Sequence, residues 1–178
     1  MATWIFGYGS LIWKPDLPYV EERWGWVNGW ERRFWQASPD HRGSPEQPGR
    51  VLTLTPVNGA RCAGKAFRID PLQESDVLAQ LNLREQAGYT LLPIEFHSER
   101  GESVQARCYI GLKGNPWFLG AAPFEDVVKQ VRSAHGPSGS NKEYILRLAD
   151  ALHGRMRKES DLELFRLADA LRTQPKQP

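Results

Sequence analysis

Thr3-Trp4-Ile5-Phe6-Gly7-Tyr8-Gly9-Ser10-Leu11 is the stretch on which the reading of the fold turns. Its β-branched and aromatic start is strand material, and the two glycines that follow end the strand in a tight loop. Glycine on either side of Tyr8 opens φ > 0 to the backbone, which can aim successive N–H groups at one point as an anion-binding nest. The same residues also suit an ordinary strand-to-turn junction in which Tyr8 packs and Ser10 caps the backbone. They are not a dinucleotide fingerprint, because the third glycine would fall at Ile12 and no helical pattern follows at once.

Outward from this loop the first half of the chain predicts more short strands, at Gly25–Trp30, Arg33–Ala37, Val51–Thr55 and Cys62–Ile69. The turn-rich segment Ser38–Gly49 between them reads as an ordered surface loop. Val77, Leu78 and Leu81 at helical spacing, with Pro71 before and Gly88 after, place a short helix over Gln73–Gln86. Strand alternation returns at Leu91–Phe96 and Val104–Ile110. In the second of these Val104, Ala106, Cys108 and Ile110 share one face, and Gln105, Arg107 and Tyr109 the other. From Pro123 the period becomes helical, with one stripe of Phe124, Val127, Val128 and Val131 and another of Tyr144, Ile145, Leu148 and Leu152. Ser140 and Glu143 form a capping box at the start of the second helix. A third helix covers about Asp161–Leu171. Strands followed by helices predict an α+β fold, a compact mixed β-barrel with short surrounding helices and a helical C-terminal third. Residues 1–172 are read as one domain and 173–178 as a frayed tail.

Composition narrows the function classes. The chain has 178 residues, 40% hydrophobic and 25% charged, enough for one substantial core. Lys plus Arg number 23 against 21 Asp plus Glu, and a net charge of +2 gives no reason to expect nucleic acid as a partner. No run approaches the roughly 18–20 apolar residues of a membrane span, and Met1–Phe6 is too short for a signal peptide's apolar region. A cytoplasmic protein without a membrane partner is expected, and the near-neutral charge suits a monomer. Cys62 and Cys108 lie far apart with no Cys-x-x-Cys pair and read as small core residues. His41, His97, His135 and His153 show no ligand spacing, so neither a metal nor another cofactor is expected. Nucleophile-elbow and phosphate-loop motifs do not occur.

Two places remain for chemistry, the Gly7–Leu11 loop and Glu85. Spacing from Leu78 and Leu81 sets Glu85 on the apolar face of its helix, in the last turn. Burial would raise its pKa, and the helix dipole at that end would disfavour the anion further. Both effects suit a general base near neutral pH; a carboxylate paired with an arginine at the core edge explains the position equally well. Trp30-Glu31-Arg32-Arg33-Phe34-Trp35 interleaves bases with aromatics as single-strand platforms do, but strand alternation accounts for it by putting Trp30, Arg32 and Phe34 on one face. Arg42, in its proline-rich loop, reads as a solvated arginine that could meet a ligand carboxylate.

Several blocks in order, Trp4-Ile5-Phe6-Gly7-Tyr8-Gly9-Ser10-Leu11-Ile12-Trp13, Arg33-Phe34-Trp35-Gln36, Asp40-His41-Arg42-Gly43, Pro48-Gly49-Arg50-Val51, Arg84-Glu85-Gln86-Ala87-Gly88-Tyr89 and Gly136-Pro137-Ser138-Gly139, resemble the ChaC-type γ-glutamylcyclotransferases. The resemblance runs to about Leu152. It implies a barrel with a substrate cavity at its mouth, and Tyr8, Gly9, Ser10 and Leu11, after Gly7, holding a γ-glutamyl group through their backbone. Glu85 matches the family's catalytic glutamate, and Tyr109 matches, more loosely, a tyrosine on a later strand that lines the cavity. The implied reaction is cleavage of glutathione to 5-oxoproline and cysteinylglycine without water or cofactor. In it the substrate's own α-amine attacks its γ-carbonyl, which makes a Ser or Cys nucleophile and a metal unnecessary. Arg42 would then meet the glycine carboxylate. The alternatives are the same chemistry on other γ-glutamyl amino acids or amines, a non-catalytic regulator that keeps the cavity, and a nucleic-acid binder acting through Trp30–Trp35.

Overall fold

The computed structural model describes residues 2–155 and 161–173. Strands β1 (Trp4–Gly7), β2 (Glu21–Ser38), β3 (Gly49–Arg68), β4 (Tyr89–Ser98) and β5 (Ser103–Gly111) close into a barrel in the order β1-β3-β2-β4-β5. β1 runs antiparallel to β3, from Trp4 opposite Arg68 to Gly7 opposite Lys65, and the barrel closes where Ile5 meets Arg107 of β5 in parallel. Helix α1 (Glu74–Arg84) joins β3 to β4. After the barrel come α2 (Phe124–Ser133), the small hairpin β6 (His135–Gly136) and β7 (Gly139–Ser140), α3 (Asn141–Leu152) and α4 (Leu162–Arg172). The α+β reading, with its barrel and its helical C-terminal third, agrees with this architecture.

Alternation along the strands feeds two cores. Phe6, Val27, Phe34, Leu54, Phe96 and Cys108, drawn from all five strands, meet in the main core, which Val131, Ile145, Leu148 and Leu164 of α2–α4 extend. Ile5, Phe67 and Tyr109 point the other way and pack under Val77 and Leu81 of α1. The expected split of β5 is therefore observed, with Ala106, Cys108 and Ile110 in the main core and Tyr109 in the second. Both cysteines are buried free thiols.

Three expectations need correction. The four short strands predicted between residues 25 and 69 are segments of two long ones, β2 of 18 residues and β3 of 20. Gly29 and the turn residues near it do not end β2; its pairing with β3 shifts register between Asn28 and Trp30 and again between Arg33 and Gln36, and the strands continue. Helix α1 stops at Arg84, with Glu85 as its C-cap, and a turn over residues 85–88, closed by Gly88 in a left-handed conformation (φ 82°), leads the chain into β4. Arg32 shares the buried face with Phe34 as alternation predicts, yet it is an interior cation, 3.0 Å from Asp161 at the start of α4. Of the tail expected to fray, residues 174–178 lie outside the described residues.

Candidate active site

At the end of β1 the chain enters a single 3-10 turn, Ser10–Ile12, whose N-cap is Gly9 at φ −124°. The left-handed backbone that the two glycines permit is not used, since neither Gly7 nor Gly9 has positive φ. Lack of a side chain serves close approach instead: a Cβ on Gly7 would stand 2.6 Å from Leu11 Cβ, and one on Gly9 3.0 Å from Tyr144 Oη. Among the described residues no acceptor meets the N–H groups of Gly9, Ser10 and Leu11, the orphan donors at the start of a helical turn. They remain available to a ligand.

Glu85 lies across from this loop. Its N–H still bonds to the carbonyl of Leu81 at 2.8 Å, so it keeps helical register beyond the last residue of α1. Leu81 is buried in the second core, and the Glu85 side chain, 19% exposed, is drawn into the same enclosed side of the helix. Burial is the main influence on its carboxyl and raises the pKa; the Arg84 guanidinium and His41 pull it back down, and Asp40 raises it.

Two voids meet here. The larger, about 310 Å³, opens between the C-terminal end of α1, the loop after β2, the segment Lys14–Leu17 and the start of α3. That volume falls at the low end of small-molecule pockets. The smaller is a recess of about 50 Å³ bounded by the Gly7–Leu11 loop. Ser10, Glu85, Tyr89 and Tyr144 line both. All seven residues singled out in the sequence, Gly7, Tyr8, Gly9, Ser10, Leu11, Glu85 and Tyr109, border the recess.

Hydroxyl partners set these residues apart. Tyr8 Oη donates to the carbonyl of Tyr109 at 2.8 Å, and Tyr109 Oη donates to Asn82 Oδ1 at 2.7 Å, so both serve to tie β1, β5 and α1 together. Tyr89 Oη donates to the Leu52 carbonyl at 2.5 Å. Burial pushes the phenols of Tyr109 and Tyr144 up to about 12, and those of Tyr8 and Tyr89 well above their usual value. The tyrosines are therefore donors at neutral pH, and Glu85 is the recess residue equipped to accept a proton.

Arg42 is not a solvated loop residue. It is 7% exposed, with Nη1 donating to the Ser140 carbonyl at 3.1 Å and to Glu143 Oε2 at 3.2 Å, and its guanidinium stands over the Tyr144 ring. It lines the larger void but not the recess. Sequence reasoning missed Tyr89 as a site residue and took Tyr144 for core. The available signal was a phenol, which needs a hydrogen-bond partner, at the start of an otherwise apolar stripe. His41 was also missed. Its Nε2 lies 3.1 Å from the Arg84 carbonyl, to which it can donate, and its Nδ1 3.1 Å from Ser138 Oγ. Among the described residues no group of three or more His, Cys, Asp or Glu side chains is placed to hold a metal ion.

The closed five-stranded barrel with its helices is a fold shared with γ-glutamyl cyclotransferases of known structure. A yeast γ-glutamyl cyclotransferase specific to glutathione superposes with a TM-score of 0.90 at 32% identity, covering 96% of this chain and 95% of the yeast chain. A more distant γ-glutamyl cyclotransferase, 13% identical, shares the fold with a TM-score of 0.55 over all of this chain and 91% of its own. The model of the ChaC-like protein family matches residues 3–174, and the chain belongs to that family. Among its relatives, the glutathione-specific γ-glutamylcyclotransferase 1 of Homo sapiens is 40% identical over 97% of this chain and 79% of the human protein. The glutathione-specific γ-glutamylcyclotransferase of Saccharomyces cerevisiae is 34% identical over 85% of each.

Proposed function

We propose that this protein is a lyase that cleaves glutathione to 5-oxoproline and cysteinylglycine, with Glu85 as the proton carrier. The observation that carries the reading is the position of that carboxylate, 19% exposed where the two voids meet and bordering the same recess as Gly9, Ser10 and Leu11, whose N–H groups have no acceptor among the described residues. The γ-glutamyl end occupies the recess side and the cysteinylglycine end the larger void. Glu85 takes a proton from the α-ammonium, and the freed amine attacks the γ-carbonyl carbon, forming the ring C–N bond. The loop N–H groups hold the γ-glutamyl portion and receive the charge that develops on oxygen, a contribution worth roughly 3–4 kcal/mol per well-placed donor. Glu85 then returns its proton to the amide nitrogen as that C–N bond breaks. The attacking nitrogen sheds a second proton to become the lactam N–H, and Glu85 passes it by the same route to the departing amine, which leaves as an ammonium while the carboxylate ends as it began. Holding the γ-glutamyl chain folded, amine against carbonyl, supplies the proximity term. Tyr109 borders the recess as a wall, with its hydroxyl engaged by Asn82.

In this reading residues 1–172 act as one domain, a monomer needing neither nucleic acid nor membrane, and work in the cytoplasm, where two buried cysteines remain thiols. The test is incubation of the purified protein with glutathione and with a panel of γ-glutamyl dipeptides and amines, quantifying 5-oxoproline. Turnover of glutathione in preference to the panel is expected, with E85Q folded, still binding glutathione and nearly without turnover. Substantial activity in E85Q would remove Glu85 from the mechanism. Preference for another γ-glutamyl compound would keep the chemistry and change the substrate, and binding without turnover in the wild type would make the protein a regulator.

A further inference from the structure

Arg84, next to Glu85 in sequence, reaches more of the site than any role given to it so far explains. Its Nε lies 3.3 Å from Glu85 Oε1, and its Nη2 donates to Ser10 Oγ at 2.5 Å. Its Nη1 donates to the carbonyls of Pro15 and Lys14 at 3.3 and 3.4 Å. One guanidinium thus touches the carboxylate at the end of α1, the first residue of the 3-10 turn and the segment beyond that turn, residues about seventy positions apart in the chain. Its side chain is 22% exposed, and among the described residues no other cation pairs with Glu85. Arginine's fixed planar fork suits such a three-way junction, because its separate nitrogens reach three places, whereas lysine's donors all radiate from one atom.

We propose that Arg84 is the positioning residue of this site, its guanidinium holding the Glu85 carboxylate in register with the Ser10 end of the glycine loop. The functional meaning of this rests on the cyclotransferase reading. Arg84 touches the base and the loop, and the substrate lies between them. Glu85 otherwise faces Asp40 and His41 from the loop after β2 and the hydroxyls of Tyr8, Tyr89, Tyr109 and Tyr144. Of these neighbours Arg84 is the strongest influence keeping the carboxylate ionised against its burial, so removing the guanidinium loosens the base and also raises its pKa.

The variants are R84M, which loses charge and fork, R84Q, which loses charge but keeps hydrogen-bonding capacity, and R84K, which keeps charge alone. Folding is checked by circular dichroism and thermal melting. The Glu85 carboxyl is titrated by carbon-13 NMR in the protein alone, assigned by the loss of its signal in E85Q. kcat and KM on glutathione are measured across pH. For R84M, or R84Q should R84M fail to fold, a loss of about a hundredfold in kcat with little change in KM is expected, as for a base displaced by about an ångström. The Glu85 titration, and the acid limb of the rate profile with it, should move to higher pH. R84K should restore the titration but not the full rate. A Glu85 titration unmoved in the charge-loss variant overturns the proposal even if kcat falls, since a mere structural prop would act that way. An undiminished kcat overturns it equally. Because the titration needs no turnover, an inactive wild type would sink the cyclotransferase reading while leaving the junction itself open to measurement.

Discussion

At residue scale the constraint that reaches across the recess is Gly9. The 3.0 Å between a hypothetical Cβ there and Tyr144 Oη leaves no slack in a recess of about 50 Å³. G9A is expected to fold with a melting temperature close to that of the wild type and to lose at least about tenfold in kcat/KM, because small displacements of reacting groups are costly. Removing the opposing oxygen makes room, so the losses in G9A/Y144F should be smaller than the product of the single losses. A double-mutant cycle reads this directly, and additive losses would show that the two groups do not meet. Tyr144 escaped the sequence reading because it continues an apolar stripe, and helical period says nothing of what its hydroxyl meets.

Among the elements, α3 shows how local sequence rules carry the cavity wall. Its N-cap Ser140 accepts from the Glu143 N–H at 3.1 Å, while the Ser140 carbonyl and the Glu143 carboxylate both hold Arg42. S140A should cost about 1 kcal/mol in a urea melt, the usual value of such a cap. The start of this helix was legible because a capping box is written in adjacent residues. So was the placing of Glu85 with Leu81 on the enclosed side of α1, which needs only the helical period. The lengths of β2 and β3 were not, since a bulge and a strand end use the same turn-forming residues and only the pairing partner distinguishes them. Nor was the burial of Arg42, which depends on α3, a helix about a hundred residues further on. The conformation of the Gly7–Leu11 loop stayed open between two readings for a related reason: the sequence says that a side chain is absent there, but not whether backbone freedom or a neighbouring atom requires it.

At the scale of the whole molecule, three acidic side chains among the described residues are held in surroundings that favour their neutral forms. Burial raises the pKa of Glu85 and of Glu163, and lifts Asp161 to about 6 in spite of Arg32 beside it. Each group binds its proton more tightly folded than unfolded. Its contribution to stability is therefore complete below the unfolded carboxylate range near pH 4 and is lost as pH rises through the folded value, about 6 for Asp161. The ligand-free protein is expected to melt at a higher temperature at pH 5.5 than at pH 8. E85Q, which is neutral at both, should narrow that difference, and an equal difference in wild type and variant would mean that Glu85 ionises with the same ease in both states. The seam of the barrel, where Ile5 of the first strand meets Arg107 of the last, bears on how the protein is made. A nascent chain emerging from the ribosome cannot close that seam until residues beyond Arg107 have been translated, and the loop after β1 has no completed barrel mouth to border before then. The recess is thus complete only after the first strand has been joined to a partner about a hundred residues further along the chain, a closure whose entropy must be met before the loop can hold a ligand.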